Sequence, residues 1–224
     1  MKLRFVFGLI CYAVVAGRWA AVADEKHPSA RWESTIRKFE AADDKQMPPK
    51  QAILFVGSSS IRLWDLKESF PDEKTINRGF GGSEVADSLY FADRIVTKYE
   101  PRQIIMYAGD NDIGKGKSPE TVAKDFRQFV KKVRQQLPHV SIGFIAIKPS
   151  IKRWSLAKTM KQANALIQKQ CQTDDDLVYI DIWNPMLGDD GKPRPELFRE
   201  DGLHLNDAGY ELWKSIVDPV LIDE

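Results

Sequence analysis

Five short apolar runs recur at wide intervals along the chain. Residues 52–56 read Ala-Ile-Leu-Phe-Val and are closed by Gly57. An unbroken apolar run of this length, without alternation, is what a strand buried on both faces requires, as in a parallel sheet. Comparable runs cover residues 103–108, 140–147 and 177–182, and a shorter one covers residues 74–77. Between them, apolar residues recur with helical spacing over residues 83–99, 119–137 and 156–171, and a last helical stretch runs from Asn206 to about Leu221. Pro119 suits the first turn of its helix, where a missing N–H loses no bond. Ahead of the first strand, Trp32, Ile36 and Phe39 fall at i, i+4 and i+7 and predict a short amphipathic helix, ended by Met47-Pro48-Pro49. Strands alternating with helices predict an α/β fold, a mostly parallel sheet with right-handed crossovers. Functional loops of such sheets gather at the carboxyl ends of the strands.

The N-terminus does not fit this alternation. Lys2 and Arg4 precede a mostly apolar run over residues 5–17, shorter than the roughly 20 residues a spanning helix needs. Ala21-Val22-Ala23 then forms an A-x-A cleavage pattern, followed by Asp24-Glu25-Lys26. Residues 1–23 are expected to be a secretory signal; an uncleaved anchor is the alternative. The expected organisation is therefore a signal over 1–23, an N-terminal helical segment and linker over 24–50, and one domain over 51–224, in a periplasmic or secreted protein without stable membrane insertion after cleavage.

Composition changes the picture little. The 224 residues are 43% hydrophobic and 29% charged, which fits a globular domain and excludes collagen-like, coiled-coil and disordered classes. Lys+Arg 33 against Asp+Glu 32 leaves a formal charge of +1, no electrostatic footprint for nucleic acid. Loss of Lys2, Arg4 and Arg18 with the signal takes this to −2. Cys11 leaves too, so Cys171 alone remains and no intramolecular disulfide can form. At the end of an apolar helix pattern, Cys171 is expected to be a buried small residue rather than a nucleophile.

Candidate chemistry follows the strands. After the first comes Gly57-Ser58-Ser59-Ser60, small residues that can turn sharply and expose a hydroxyl at a helix start, or simply cap that helix. After the second comes Arg78-Gly79-Phe80-Gly81-Gly82-Ser83-Glu84. The dinucleotide fingerprint fails here because Glu84 stands at its last glycine. After the third comes Gly109-Asp110-Asn111-Asp112; a calcium loop fails because Thr121 stands where the twelfth-position Glu belongs. An Asn carboxamide at this edge could instead donate to an oxyanion. Near the C-terminus, Asp201-Gly202-Leu203-His204 places a carboxylate three residues before the one histidine of three that sits neither beside the cleavage site, like His27, nor in a helix-to-strand turn, like His139.

Taken together, Gly57-Ser58-Ser59, Gly79 to Gly82, Gly109-Asp110-Asn111-Asp112 and Asp201-Gly202-Leu203-His204 resemble, in that order, the four blocks of the SGNH (GDSL-type) hydrolase superfamily. The branch is similar to the bacterial esterases related to the catalytic subunits of platelet-activating-factor acetylhydrolase Ib. The resemblance spans residues 52–221. It implies a three-layer α/β/α sandwich of flavodoxin-like type, and a carboxylic ester hydrolase that needs no metal or organic cofactor. It implies Ser59 as nucleophile, His204 as base and Asp201 as its orienting carboxylate. The oxyanion donors would be the Ser59 and Gly82 N–H groups and the Asn111 side chain. Ser58 stands where the family has Asp, which keeps Ser58 and Ser60 as lesser candidates.

The segment Lys148-Pro149-Ser150-Ile151-Lys152-Arg153-Trp154 directly follows a strand. Its aromatic and cations could form a rim that stacks on a sugar or meets an anionic headgroup, with Trp154 the candidate substrate contact; a surface loop with Trp154 tucked in is the alternative. No long apolar lid is visible, which favours short acyl groups, acetyl above all, on carbohydrate or small soluble esters. Alternatives are a lysophospholipase or thioesterase, a non-catalytic carbohydrate-binding protein on the same fold, and a glycosidase using Asp110, Asp112 and Asp201.

Overall fold

The computed structural model describes residues 27–222; the proposed signal, residues 1–23, lies outside them. Five parallel strands form one sheet: β1 (Ile53–Gly57), β2 (Thr75–Gly79), β3 (Gln103–Tyr107), β4 (Ser141–Ile145) and β5 (Leu177–Ile180). Their order is β2-β1-β3-β4-β5. The chain moves outward from β1 to one edge, then returns and builds the other edge. That reversal opens a crevice at the carboxyl ends of β1 and β3, where ligands bind in sheets of this kind. Register aligns Gly57 with Gly79 on one side and with Tyr107 on the other, so the first three strands end level.

Each strand alternates its side chains between two apolar layers. Leu54, Val56, Ile104, Met106, Ile142 and Phe144 face one core. It is covered by α1 (Glu33–Lys45), α4 (Val85–Tyr90), α5 (Ala92–Ile95), α7 (Pro119–Arg134) and α8 (Ala157–Cys171). Ile53, Phe55, Ile105, Tyr107 and Ile145 face the other core, under α2 (Ser59–Arg62), α3 (Leu66–Ser69) and α9 (Asp207–Val217). There Trp64 packs edge-on against Trp213, with centroids 5.7 Å apart. The helix α6 (Asp110–Gly114) completes the set. Both faces of the sheet are thus covered, which is why its strands read as continuous apolar runs. No helix among the described residues is long and apolar enough to cross a membrane.

Three details differ from the sequence pattern. Residues 83–99 do not form one helix: α4 ends at Tyr90, α5 ends at Ile95, and a 3-10 turn covers Thr97–Tyr99 before Glu100 turns left-handed at φ 47°. The β-branched pair Val96-Thr97 favours that second break, because such side chains lose rotamer freedom against the preceding helical turn. The last helix stops at Val217, since Pro219 has no N–H for the ladder. His27, close to the cleavage pattern in sequence, is packed onto the fold: its ring stacks on Tyr90 at 4.0 Å and its Nδ1 accepts from the Ser29 N–H at 3.2 Å.

The N-terminal helix is docked firmly. Ile36 is fully buried, Arg94 pairs with Glu33 and Glu40, and Asp43 receives Arg78, Lys98 and Tyr99. Just before it, the Trp32 indole N–H donates to Asp87 at 3.0 Å, inside the first turn of α4. The N-terminal segment therefore braces the loop between β2 and α4, which carries Gly82.

Candidate active site

β1 ends where only glycine fits. Gly57 adopts φ +134°, and a Cβ there would stand 1.9 Å from the Tyr107 carbonyl oxygen of β3. The next N–H, of Ser58, donates to that same oxygen at 2.9 Å. The chain then turns directly into α2, with Ser58 as its N-cap and Ser59 as its first residue. Ser58 and Ser60 are 2% and 1% exposed. Ser60 Oγ lies 3.4 Å from Lys148 Nζ, inside the molecule. Ser59 differs: its Oγ is 3.1 Å from His204 Nε2.

The loop before α9 holds that imidazole. Gly202 takes the left-handed φ +63° that the turn requires, and its carbonyl accepts from the Lys152 N–H at 3.0 Å. Asp201 folds back on the turn: Oδ1 accepts from the Leu203 and His204 N–H groups, both at 2.9 Å, and Oδ2 meets His204 Nδ1 at 2.5 Å. Desolvation works against the Asp201 charge. The His204 side-chain bond and the two N–H donors outweigh it and hold the carboxyl well below the ordinary range. Asn206 caps α9 through Gly209 and ties the loop to Glu196. Ser59, His204 and Asp201 thus form one hydrogen-bonded relay across 142 positions of sequence from Ser59 to Asp201.

Opposite the imidazole lie the other predicted residues. Gly82 sits at φ +80° against the Trp32 ring. Among the described residues, neither the Ser59 nor the Gly82 N–H donates to another backbone group. Asn111, in α6, donates from Nδ2 to the Ser83 carbonyl at 3.0 Å, which leaves one amide hydrogen uncommitted. Ser83 Oγ in turn donates to the Gly57 carbonyl at 3.1 Å, tying this loop to β1. Ser59, Gly82, Asn111 and His204 line one pocket of about 460 Å³, whose sole apolar side chain is Leu203.

The two aspartates flanking Asn111 are turned inward. Asp112 is fully buried and receives the Val85 N–H at 3.2 Å and Lys117 at 3.0 Å, which fastens α6 to the start of α4. Burial pushes its carboxyl up to about 6. Asp110 is 4% exposed and paired with Lys148 Nζ at 2.8 Å and with Arg153. Desolvation opposes its charge, yet the two cations hold it below the ordinary carboxylate range. Paired inward-facing carboxylates are poor candidates for acid–base work on a sugar. Among the described residues no group of three or more His, Cys, Asp or Glu is placed to hold a metal ion.

The rim expected over residues 148–154 needs correction. Lys148 is not at a rim: it is 1% exposed and also contacts Tyr107 OH at 3.0 Å. Arg153 is committed to Asp110 and Asn111. Trp154 is half-buried and lies over Trp183, with centroids 6.3 Å apart. It lines a second, larger cleft of about 690 Å³ together with Ile151, Leu187 and Pro193, with Asp189, Asp190, Lys192 and Glu196 at its polar edge. This cleft contains none of the relay residues. It adjoins them through Ile151, which packs on Gly202. The sequence placed Lys148 and Arg153 at a rim and did not reveal their role beside Asp110 and Asn111. Their signal was present as cations directly after a strand, but their partner Asp110 is about 40 positions away.

The sequence profile of the GDSL-like lipase/acylhydrolase family matches residues 62–212. A search of curated proteins returned no match. Among solved structures, the chain is similar to a protein provisionally named a platelet activating factor from Streptococcus pneumonia, with a TM-score of 0.76 at 20% identity over 86% of this chain and 94% of that one. A GDSL-like lipase from Bacteroides thetaiotaomicron gives 0.73 at 14% identity over 84% and 97%. A carbohydrate esterase family 3 protein from Talaromyces cellulolyticus gives 0.59 at 18% identity over 75% and 94%. At these identities the likeness is one of fold.

Proposed function

Because the chain belongs to the GDSL-like lipase/acylhydrolase family and is thus a carboxylic ester hydrolase, we propose that it is an exported serine esterase acting on short acyl esters, acetyl above all, carried by carbohydrates or other small soluble alcohols. The observation that carries the mechanism is the relay from Ser59 Oγ to His204 Nε2 at 3.1 Å and from His204 Nδ1 to Asp201 at 2.5 Å. A serine hydroxyl is a weak nucleophile until a base takes its proton. As Ser59 Oγ bonds to the ester carbonyl carbon, its proton passes to His204 Nε2. Asp201 holds the ring in the tautomer that leaves Nε2 free and stabilises the imidazolium. Negative charge collects on the former carbonyl oxygen and is received by the Ser59 and Gly82 N–H groups and Asn111 Nδ2, each donor contributing about 3 kcal/mol to the barrier reduction. Collapse breaks the bond to the alcohol, which takes the proton from His204. Water then repeats the sequence and frees the acid.

Two features support the substrate class. The pocket around Ser59 is small and Leu203 is its one apolar side chain, so it offers a long acyl chain little apolar surface to bury. The larger cleft beside it presents Trp154 between apolar walls and a charged edge, a setting for a sugar ring on the alcohol side of the ester. The carbohydrate esterase among the similar folds agrees with this reading. The apolar wall formed by Ile151, Leu187 and Pro193 favours a second reading, in which that cleft takes the acyl chain of a lysolipid.

Ser59→Ala and His204→Ala are each expected to abolish p-nitrophenyl acetate turnover in a folded protein; near-wild-type turnover in either refutes the mechanism. A C2 to C12 ester series should peak at the short end, and a maximum at C8 or beyond favours the lysolipid reading. Trp154→Ala should raise KM for acetylated oligosaccharides while leaving p-nitrophenyl acetate unchanged. Export predicts a secreted form whose N-terminal residue is Asp24.

A further inference from the structure

An asparagine carboxamide can serve an oxyanion in only one of its two flips. With Nδ2 turned to the reacting carbonyl it donates; with Oδ1 there it repels the developing charge. The two edges are similar in shape, so packing alone selects weakly between them, and hydrogen-bond partners must decide. At Asn111 there are two such partners. Ser83 O accepts from Nδ2 at 3.0 Å, and Arg153 Nη2 donates to Oδ1 at 3.2 Å.

The geometry points to Arg153 as a positioning residue for the ester hydrolysis proposed above: it locks the Asn111 carboxamide in the donating flip. The inference rests on the reading of Asn111 as an oxyanion donor. In the reversed flip, the amide hydrogens would face the guanidinium and Oδ1 would face the Ser83 carbonyl, two repulsive contacts in place of two attractive ones. Arg153 is itself seated by other parts of the fold. Its Nη1 pairs with the inward-facing Asp110, and its planar head lies on Gly114, where a Cβ would stand 3.0 Å from Nε and Cζ. Lys148 occupies the other oxygen of Asp110 at 2.8 Å. Asp110 thus holds the Arg153 fork from behind, while Lys148 keeps that carboxylate charged and anchored. Arg153 thereby also places a positive charge beside Asn111. A lysine at 153 could keep that charge, but its single ammonium cannot reproduce the planar two-pronged bridge.

The test is a double-mutant cycle read as kcat and KM on p-nitrophenyl acetate, with thermal melts to establish folding. Arg153→Ala should lower kcat by roughly 10- to 100-fold with KM within about twofold, because the defect lies in the transition state. Arg153→Lys should recover only part of the loss. Asn111→Ala should lower kcat by about a hundred- to a thousandfold. Arg153→Ala added to Asn111→Ala should have no further effect, because Arg153 then has nothing to orient. Losses that multiply in the double variant overturn the inference, as does wild-type kcat in Arg153→Ala beside a crippled Asn111→Ala. Wild-type kcat in Asn111→Ala overturns the donor assignment, and this inference with it. If Arg153→Ala does not fold, Arg153→Gln carries the same cycle.

Discussion

Replacing Asp110 by Asn removes one charge and almost no volume from beneath the candidate active site. Its consequence falls on Lys148, which is 1% exposed and meets Asp110 Oδ2 at 2.8 Å. In the native protein, burial opposes the ammonium charge, but Asp110 overrides burial and raises the Lys148 pKa above its ordinary value. Without Asp110, burial acts alone, now reinforced by the Arg153 cation nearby, and a fully buried lysine lacking a counter-ion titrates several units low. If Lys148 is neutral in the folded variant at pH 7, while the unfolded chain keeps its proton up to about pH 10.4, the gap of about 3.4 units costs about 4.6 kcal/mol. That agrees with the roughly 3–5 kcal/mol lost when one partner of a buried pair is removed. The sign is a sharper test than the size. Between pH 7 and 9 the unfolded variant binds one more proton than the folded variant, so the variant gains stability as pH rises, by about 1.4 kcal/mol per unit. Wild-type Lys148 is charged in both states over that range and contributes no slope. Urea unfolding followed by tryptophan fluorescence at pH 7, 8 and 9, taken as the difference from wild type, measures both quantities. An unchanged midpoint at pH 7, or a difference flat with pH, refutes the claim that Asp110 is what keeps Lys148 charged.

Three further outcomes follow from local geometry. Gly57→Ala should fail to give soluble, cooperatively melting protein, because the new Cβ would sit 1.9 Å from the Tyr107 carbonyl oxygen in a register-locked sheet; an unchanged melting temperature contradicts the β1–β3 contact described above. Gly82→Ala should fold, since its Cβ meets only the Trp32 ring at 3.5 Å, with a loss of about 1–2 kcal/mol for the left-handed backbone. Its kcat on p-nitrophenyl acetate should fall about a hundredfold as the N–H shifts, and full activity in the folded variant removes Gly82 from the oxyanion site. Cys171 is 6% exposed and burial pushes its thiol up to about 11, so native protein at pH 8 should resist a disulfide reagent that labels it fully in denaturant; rapid labelling of the native form refutes this.

How much of the fold the chain declares locally depends on how many layers each element touches. The strands are the clearest case. Ile53 to Val56 must fill two cores at once, so every position is apolar and the run is unmistakable. The helix over residues 83–99 is less legible, because its apolar stripe continues through Phe91, Ala92, Ile95, Val96 and Tyr99 while the backbone breaks twice. Periodicity reports which side chains face inward. It does not report that the backbone bends to keep them there.

The site divides along the same line. Ser59, Gly82, Asn111, Asp201 and His204 each sit in a short block whose turn demands small or capping residues, so the motif and the backbone geometry share a cause. Gly57 and Gly82 take left-handed backbones, and Asn206 caps the helix after His204. The supporting shell has no such signature. Lys148 and Arg153 reach Asp110 from the segment that follows β4, and Trp32 reaches Gly82 from outside the sheet altogether. Nothing within a few residues of either cation identifies its partner, so cations on a loop read as a solvated rim. Only the closing of β3 beside β4 turns them inward. Burial then makes the Lys148 charge tolerable only with Asp110 beside it. The residues that perform the chemistry are written in local turns, whereas those that aim Asn111 are written in the order of the strands.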